Sequence, residues 1–511
     1  LSVKGKKLAL QLNFLNTIFE HLCFTGDDSC GALLFSKANF DSLCQLSIEK
    51  CTFTNVSSLH GNSIFVSQVS NEQKCSINGC SFVDCCSSAF VVSSKISELV
   101  FIDSTIKFSK GKSGYACGGL SIESSGQCLI DNAQFIGTGS NPALSVVHQT
   151  ESNSEISVSN SIFDSCNGKD NCCFDISIKT PLFIFHNNTM KNIVTANSNG
   201  HFGSINCNNK INILTIEKMI LNNNECNCFG LIFNGIQTLS FVECQFINNN
   251  AQRQNSFDHH SRSSPLFGNG GALQFGSMFD YDIEFYDCLF KNNKASKHGG
   301  AVSIQTHRSI DIKRCLFDGN SASNDETLEG KGGALYINKH SSIDQQTQLV
   351  TIEDCSFTSN CAFDGYAIYI KGEDKNTQFI IKNNKFVDNY NEDSLSKSSS
   401  VIKSEIPNLS DGKILVENTF IFNKNGLKVN SLLYNNDESQ AQLLGLSNSR
   451  LHSLSNSEIS GEIQPIYINN SIAADEVSNS RFIDCKIPEG EDYLFVVQKG
   501  CTFENIEFSF K

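Results

Sequence analysis

The stretch CLFKNNKASKHGGAVSI, residues 288–304, decides the fold once its neighbours are set beside it. CLFDGN and GGALYI repeat it at residues 315–320 and 332–337, and CSFTSN and GYAIYI at 355–360 and 365–370. In each copy a short apolar–polar alternation ends in an aromatic anchor, with Cys two residues before it and Asn three residues after it. A Gly-rich corner and a second apolar run follow. Such a unit buries no core alone, so recurrence at a fixed period reads as a solenoid.

Working outward, we place the anchors at Phe53, Phe82, Phe108, Phe135, Phe163, Met190, Met219, Phe246, Phe290, Phe317, Phe357, Phe386 and Phe420. Leu451, Phe482 and Phe503 continue the series and Phe19 precedes it. From Phe53 to Phe246 the spacing stays between 26 and 29 residues, and the two longer gaps, before Phe290 and before Phe357, hold polar insertions. That period is too short for a propeller blade of ~40 residues. Three short strands and three turns per period predict an all-β fold, a parallel β-helix solenoid of about 17 coils stacked at ~4.8 Å. We expect one β-helix over residues 1–511, with the clearest repeats at 240–390 and weaker ones at 391–511.

Stacking turns equivalent positions into ladders. The expected ladders are the rings Phe246, Phe290, Phe317 and Phe357, the amides Asn249, Asn293, Asn320 and Asn360, and the thiols Cys288, Cys315 and Cys355. A stacked Asn can bond its amide to the next coil and tolerates the left-handed turn conformation. Two-residue corners such as Gly118-Gly119, Gly270-Gly271, Gly299-Gly300 and Gly332-Gly333 predict positive φ before the next strand. A phosphate cradle would need a following Lys and helix, which are missing. The thiols are 4.8 Å neighbours, within reach of disulfides, and fit equally well as reduced buried side chains.

The pairing of GGA[ILV] with FxxN resembles the repeats of the polymorphic outer membrane proteins, and is clearest from Phe246 to Asn389. Those are bacterial autotransported surface proteins with a right-handed β-helical passenger. The resemblance implies that the β-helix is right-handed, and that the protein serves surface display or adhesion. This chain differs from that family in its 23 Cys and its lack of Trp, and we expect no C-terminal barrel segment within it. Its Phe-, Asn- and Ser-rich composition points to an AT-rich genome, such as that of a unicellular eukaryote.

Composition bounds the partners. The formal charge is −14, from 53 acidic and 39 basic side chains, which argues against nucleic acid. No uncharged apolar run reaches the ~18 residues of a membrane span. The chain starts at Leu1 and stops within CTFENIEFSFK, so we expect a processed or excised piece of a longer protein. The odd number of Cys leaves at least one thiol unpaired within this piece. Cys85-Cys86, Cys172-Cys173 and Cys226-Asn227-Cys228 lack paired zinc-finger spacing, and no cofactor or metal is expected. The sequons at Asn55, Asn187, Asn408 and Asn469 mark possible N-glycosylation, with little weight in so Asn-rich a chain.

For catalysis the best acidic cluster is Asp280, Asp282, Glu284 and Asp287. Aligned on the anchors, Asp287 falls beside Arg314 and Arg314 beside Asp354, while Lys313 falls beside Glu353. Opposite charges in register read as a solvated ladder rather than an acid–base pair. Lys297-His298-Gly299 reads as a turn. A partner would instead meet the insertions, Ala251–Asn269 with Arg253, His259, His260 and Arg262, and Ser321–Lys331 with Asp325, Glu326 and Glu329. Further excursions span His340–Gln348, Asn391–Ser400 and Asn435–Gln442. The expected function is a non-enzymatic extracellular or cell-surface protein that contacts a protein or glycan, or neighbouring subunits, in adhesion or assembly. A β-helical polysaccharide lyase or hydrolase is one alternative. A structural rod in an intracellular filament or cilium is another, with reduced Cys ladders.

Overall fold

The computed structural model describes residues 2–3, 10–24, 33–35, 44–58, 62–67, 74–85, 88–108, 118–138, 142–148, 153–166, 173–195, 202–225, 231–251, 268–276, 281–306, 308–323, 330–339, 348–372, 377–390 and 401–405, and short strands between 413 and 509. Among them every regular element is a β-strand, and no helix is long and apolar enough to cross a membrane. The chain divides into two compact units, Leu1–Gln237 and Thr238–Lys511. Each is a parallel β-helix.

In the first unit the anchor register runs Phe19, Phe53, Phe82, Ile106, Phe135, Phe163, Met190 and Leu221. In the second it runs Phe246, Phe290, Phe317, Phe357, Phe386, Phe420, Ile459, Phe482 and Phe508. Four expected anchors are therefore corrected. Ile106 replaces Phe108, Leu221 replaces Met219, Ile459 replaces Leu451 and Phe508 replaces Phe503. Met219 lies in the column two residues before the anchor, where its neighbour Ile220 donates its N–H to the Asn188 carbonyl. Leu451 pairs with Ile414 and Phe503 with Val477, both on other strands. Ile106 and Phe108, or Met219 and Leu221, are two residues apart, and the strand period of two gives both the same apparent face.

The rings stack as flat columns. Centroids lie 4.6 Å apart for Phe246–Phe290, 4.7 Å for Phe290–Phe317, 4.8 Å for Phe317–Phe357 and 4.9 Å for Phe357–Phe386. The column thus inherits the strand spacing of ~4.8 Å.

Two left-handed corners bracket each anchor. Three residues before it, Lys50, Asn132, Asn160, Asp287, Arg314 and Asp354 have φ of 48° to 56°, and two residues after it so do Asn55, Asn192, Asn248, Asn292 and Ser359. Left-handed backbone is costly for L-residues and mildest for Asn and Asp, which explains the abundant Asn. The ladder survives the corner, because Asp287 N–H donates to Lys313 O and Arg314 N–H to Glu353 O, each at 3.1 Å. The buried Asn column follows this corner and does not itself form it, which corrects the expected left-handed role. In the first unit its member is Asn224 rather than Asn222, following the corrected anchor.

That column is a continuous amide ladder. Asn320 Oδ1 accepts from Asn293 N and Nδ2, and Asn320 Nδ2 donates to Asn360 Oδ1 and Phe290 O, all within 3.0 Å. Asn293 and Asn360 repeat the pattern with their own neighbours.

The thiol column does the same work more weakly. Cys288, Cys315 and Cys355 are buried thiols that form no disulfide. Cys315 Sγ donates toward Phe285 O and Lys313 O, at 3.5 and 3.3 Å, and Cys355 Sγ accepts Cys315 N–H at 3.4 Å. Ser104 and Asn384 fill the same slot elsewhere. Ser104 Oγ accepts Cys80 N–H at 3.0 Å, and Asn384 Oδ1 accepts Cys355 N–H at 2.9 Å. Any short side chain with one donor and one acceptor satisfies the corner. Burial pushes the Cys288 and Cys355 thiols well above their usual range and Cys80 up to about 11, so they stay protonated. We expect Cys315→Ser to change stability by no more than about 1 kcal/mol in denaturant titration. We also expect these thiols to resist a thiol reagent until the chain is unfolded. A loss several times larger, or rapid native labelling, would show the slot needs sulfur or is open.

Only the first glycine of each GG corner has positive φ: Gly270 63°, Gly299 65°, Gly332 69°. The second is required by space instead. A Cβ on Gly300 would stand 2.0 Å from the Gly333 carbonyl oxygen of the next coil. Gly118 and Gly119 lie within the strand Gly118–Asp131, so the expected corner is absent there.

Candidate recognition face

In the second unit four successive coils continue from the Asn column into a two-residue strand. Asn250–Ala251, Lys294–Ala295, Ser321–Ala322 and Cys361–Ala362 pair in register. The first insertion departs from Ala251 and rejoins at Gly268, the second departs beyond Ser323 and rejoins at Gly330. Their roots are tied to the coil between them, since Ser296 N–H donates to Ala251 O and Ser323 N–H to Ala295 O. Both insertions therefore spring from one corner, with one coil between them. Arg253, His259, His260, Arg262, Asp325, Glu326 and Glu329 lie outside the described residues, as do His340–Thr347, Asn391–Ser400 and Asn435–Gln442.

Beyond the corner runs a further sheet, Leu273–Phe275, Val302–Thr306, Leu335–Lys339, Ile368–Gly372 and Ile402–Glu405. Its inward row is apolar from Leu273 and Phe275 through Val302, Ile304, Leu335, Ile337, Ile368 and Ile370, and ends on the buried Thr306 and Lys339. Its outward row stacks Gln274, Ser303, Tyr336, Tyr369 and Lys403 in register, and the first four of these are buried. A second outward row holds Gln305, Asn338 and the exposed Lys371. At the mouth of the GG corner, His298, Lys331 and Asp364 form a column through parallel bridges.

This column is knit to the tyrosines. The His298 ring stacks on Tyr336 at 4.6 Å, and Tyr336 on Tyr369 at 5.6 Å. Lys331 Nζ lies 4.7 Å from the centre of the Tyr369 ring and donates to its hydroxyl at 3.0 Å. Its charge is held by a π face and a neutral oxygen. Asp364 is engaged elsewhere, by Lys403 Nζ at 2.6 Å. Burial and the charges of Lys331, Lys297 and Lys371 lower the His298 pKa to about 4, so its ring is neutral near pH 7.

The sequence missed these residues. Their signal was there, in the residue before each GG and the middle residue of each following apolar triplet. A Tyr between Leu and Ile reads as core, and His298 read as a turn.

The acidic cluster is otherwise employed. Arg314 grips Asp287 with two bonds of 2.8 Å and holds that carboxyl below its usual range. Lys313 is in register with Glu353, as expected, yet its ammonium bonds Asp311 at 2.8 Å, while Lys382 faces Glu353 at 3.9 Å. Tyr286 Oη also donates to Asp311, at 2.8 Å, and Asp282 Oδ1 accepts Ser309 N–H at 3.0 Å. Asp280 lies outside the described residues. Among those described, no three His, Cys, Asp or Glu side chains are grouped to hold a metal ion. Asn55 and Asn187 occupy left-handed corners, and Asn187 Nδ2 donates to Asn160 Oδ1 at 2.7 Å. Asn408 and Asn469 lie outside the described residues.

Residues 287–305 and 314–338 match the family model of the Chlamydia polymorphic membrane protein repeat. Both segments fall on the coils that carry the recognition face, and these coils are Pmp-like repeats. No curated protein matches the chain.

Proposed function

We propose that this β-helix is a non-enzymatic binding scaffold, displayed at a cell surface or secreted, that mediates adhesion or assembly. The observation that carries the reading is the common root of the two insertions, which leave the same corner with one coil between them. Strand pairing sets the roots two coil rises apart, ~10 Å, so one partner can span both. Rigid coils that present adjacent loops are how repeat proteins bind. The Pmp-like repeats support surface display.

The test is excision of residues 252–267 and 324–329 together. Neither segment supplies an anchor or a ladder residue, so the shortened chain is expected to keep its β-rich circular dichroism and its thermal transition. Attachment to host cells, or incorporation into the native assembly, is expected to fall. Unchanged attachment by the folded, shortened protein would move the binding site to another face.

A second reading keeps one specific observation. Buried thiols in the Cys288, Cys315 and Cys355 slots, with no disulfide, suit an intracellular structural rod in a reducing compartment. Disulfide mapping by mass spectrometry of protein taken from its source separates the two. Disulfides elsewhere in the chain would favour the surface, and wholly reduced cysteines the rod.

A further inference from the structure

In the first unit the strand Phe183–His186 leads into the left-handed corner at Asn187, and its coil departs from those before it. One outward row of this sheet holds Gln45, Lys74, Glu98 and Gln127 in successive coils. Two coils later the row turns apolar. Leu182 fills it, one residue before Phe183, which is in register with Ile156 and through it with Cys128. Ile213 follows on the next coil, three residues before Ile216, which pairs with Phe185. Leu182 is 49% exposed, Ile213 62%, and Ile184, on the same face of the strand as Leu182, 42%. Adjacent exposed apolar side chains on an otherwise polar row call for a cover.

Asn187 lies three residues beyond Ile184, about 10 Å along the strand. The corner sorts its sequon by side. Asn187 is exposed, with φ of 53°. Asn188 is buried and donates its Nδ2 to the Val158 carbonyl at 2.8 Å. Thr189, half-buried, opens the next strand on the outer side. In the column of left-handed corners Asp103, Asn132, Asn160, Asn187 and Lys218, an Asn and a hydroxyl residue two places on coincide at Asn187 alone. Its Nδ2 carries two protons, and one is donated to Asn160 Oδ1 at 2.7 Å.

We propose that Asn187 carries an N-linked glycan that lies over Leu182, Ile184 and Ile213. The proposal rests on reading the protein as displayed or secreted, and adds a modification made on a eukaryotic secretory route. In the transfer, Nδ2 bonds to C1 of a sugar, the bond from C1 to a lipid-linked pyrophosphate breaks, one amide proton is lost and the lipid pyrophosphate leaves. The N–H that remains can still serve Asn160, so the corner ladder survives the modification. A glycan is bulky and solubilising, and its sugar rings can set their C–H faces on Leu and Ile while their hydroxyls keep to water. A second copy of the chain is the rival cover, and the net charge of −14 on each copy opposes it.

The test begins with protein taken from its source. Trypsin releases residues 180–191 as one peptide, and mass spectrometry is expected to find it carrying sugars. An N-glycosidase should strip them and convert the Asn187 amide to a carboxylate. In a eukaryotic secretory host, Asn187→Gln and Thr189→Ala should each abolish the modification, and Thr189→Ser should keep it. The cover is read separately. Deglycosylation of the folded chain is expected to raise binding of a hydrophobic dye several-fold and to promote association. Leu182→Ser, Ile184→Thr and Ile213→Thr together should return both to the glycosylated level. An unmodified peptide in protein exposed on intact cells would overturn the inference and leave the surface reading standing. If that unmodified protein is a dimer closed over the patch, the cover is a second copy. A modified Asn187 whose deglycosylation leaves dye binding unmoved would overturn the cover. A modified Asn187 in a chain that keeps full attachment after loop excision does the reverse, sinking the loop-based reading and leaving this inference standing.

Discussion

Replacing Phe317 by Ala is expected to destabilise its coils by ~3–5 kcal/mol, the cost typical of a buried Phe. The side chain has no exposed surface. Its ring lies 4.7 Å from Phe290 and 4.8 Å from Phe357, both nearly parallel to it. Removing it leaves a gap one ring thick in a column that the ladder hydrogen bonds hold open. Parallel pairing sets the coil spacing, so the flanking rings cannot close up. In a solenoid, stability is a sum of coil terms and nearest-neighbour interfaces, and Phe317 contributes to two interfaces at once. Hydrogen exchange should therefore accelerate first in 289–291, 316–318 and 356–358, with a lowered denaturation midpoint. A midpoint within measurement error of the parent would mean that the column is not load-sharing.

The columns were legible in the sequence because a coil imposes its pitch on every equivalent side chain. Where each coil repeats C-x-F-x-x-N, as at Cys288, Cys315 and Cys355, three fixed residue types set the register together. Where only one apolar residue marks the coil, as at Ile106 or Leu221, a neighbour two residues away fits as well, and the reading slipped to Phe108 and Met219. The Asn pattern was legible, but its cause was displaced by one residue. The left-handed strain sits on Asn292, while the amide ladder belongs to Asn293. The recognition face was hardest to read. Tyr336 and Tyr369 are buried although they occupy outward positions, and burial on the outer side of a sheet leaves no mark in apolar–polar alternation. Lys331 and Tyr369, 38 residues apart, meet only after a coil is wound between them.

The second large effect is expected at Asn320, whose replacement by Leu should cost as much as losing the ring of Phe317 although the two side chains are similar in size. The reason is directional bonding. Asn320 Oδ1 receives Asn293 N–H and its amide, and Asn320 Nδ2 serves Phe290 O and Asn360 Oδ1. Leu leaves the backbone N–H of Asn293 and the carbonyl of Phe290 without these partners in a site that water does not reach. Each orphaned buried group costs about 1–3 kcal/mol, so the total should be on the order of 3–5 kcal/mol. Asn320→Ala is expected to be milder than Leu if water enters the space it opens, since water can serve both groups. Asn320→Cys should be milder still, because Cys85 and Cys166 fill this slot in the first unit with Sγ directed at Phe53 O and Phe135 O. The order Leu worst, then Ala, then Cys, read from chemical denaturation, tests whether the column works by hydrogen bonding. If Leu proved the mildest of the three, the Asn ladder would be a packing feature, and the amide bonds incidental to stability.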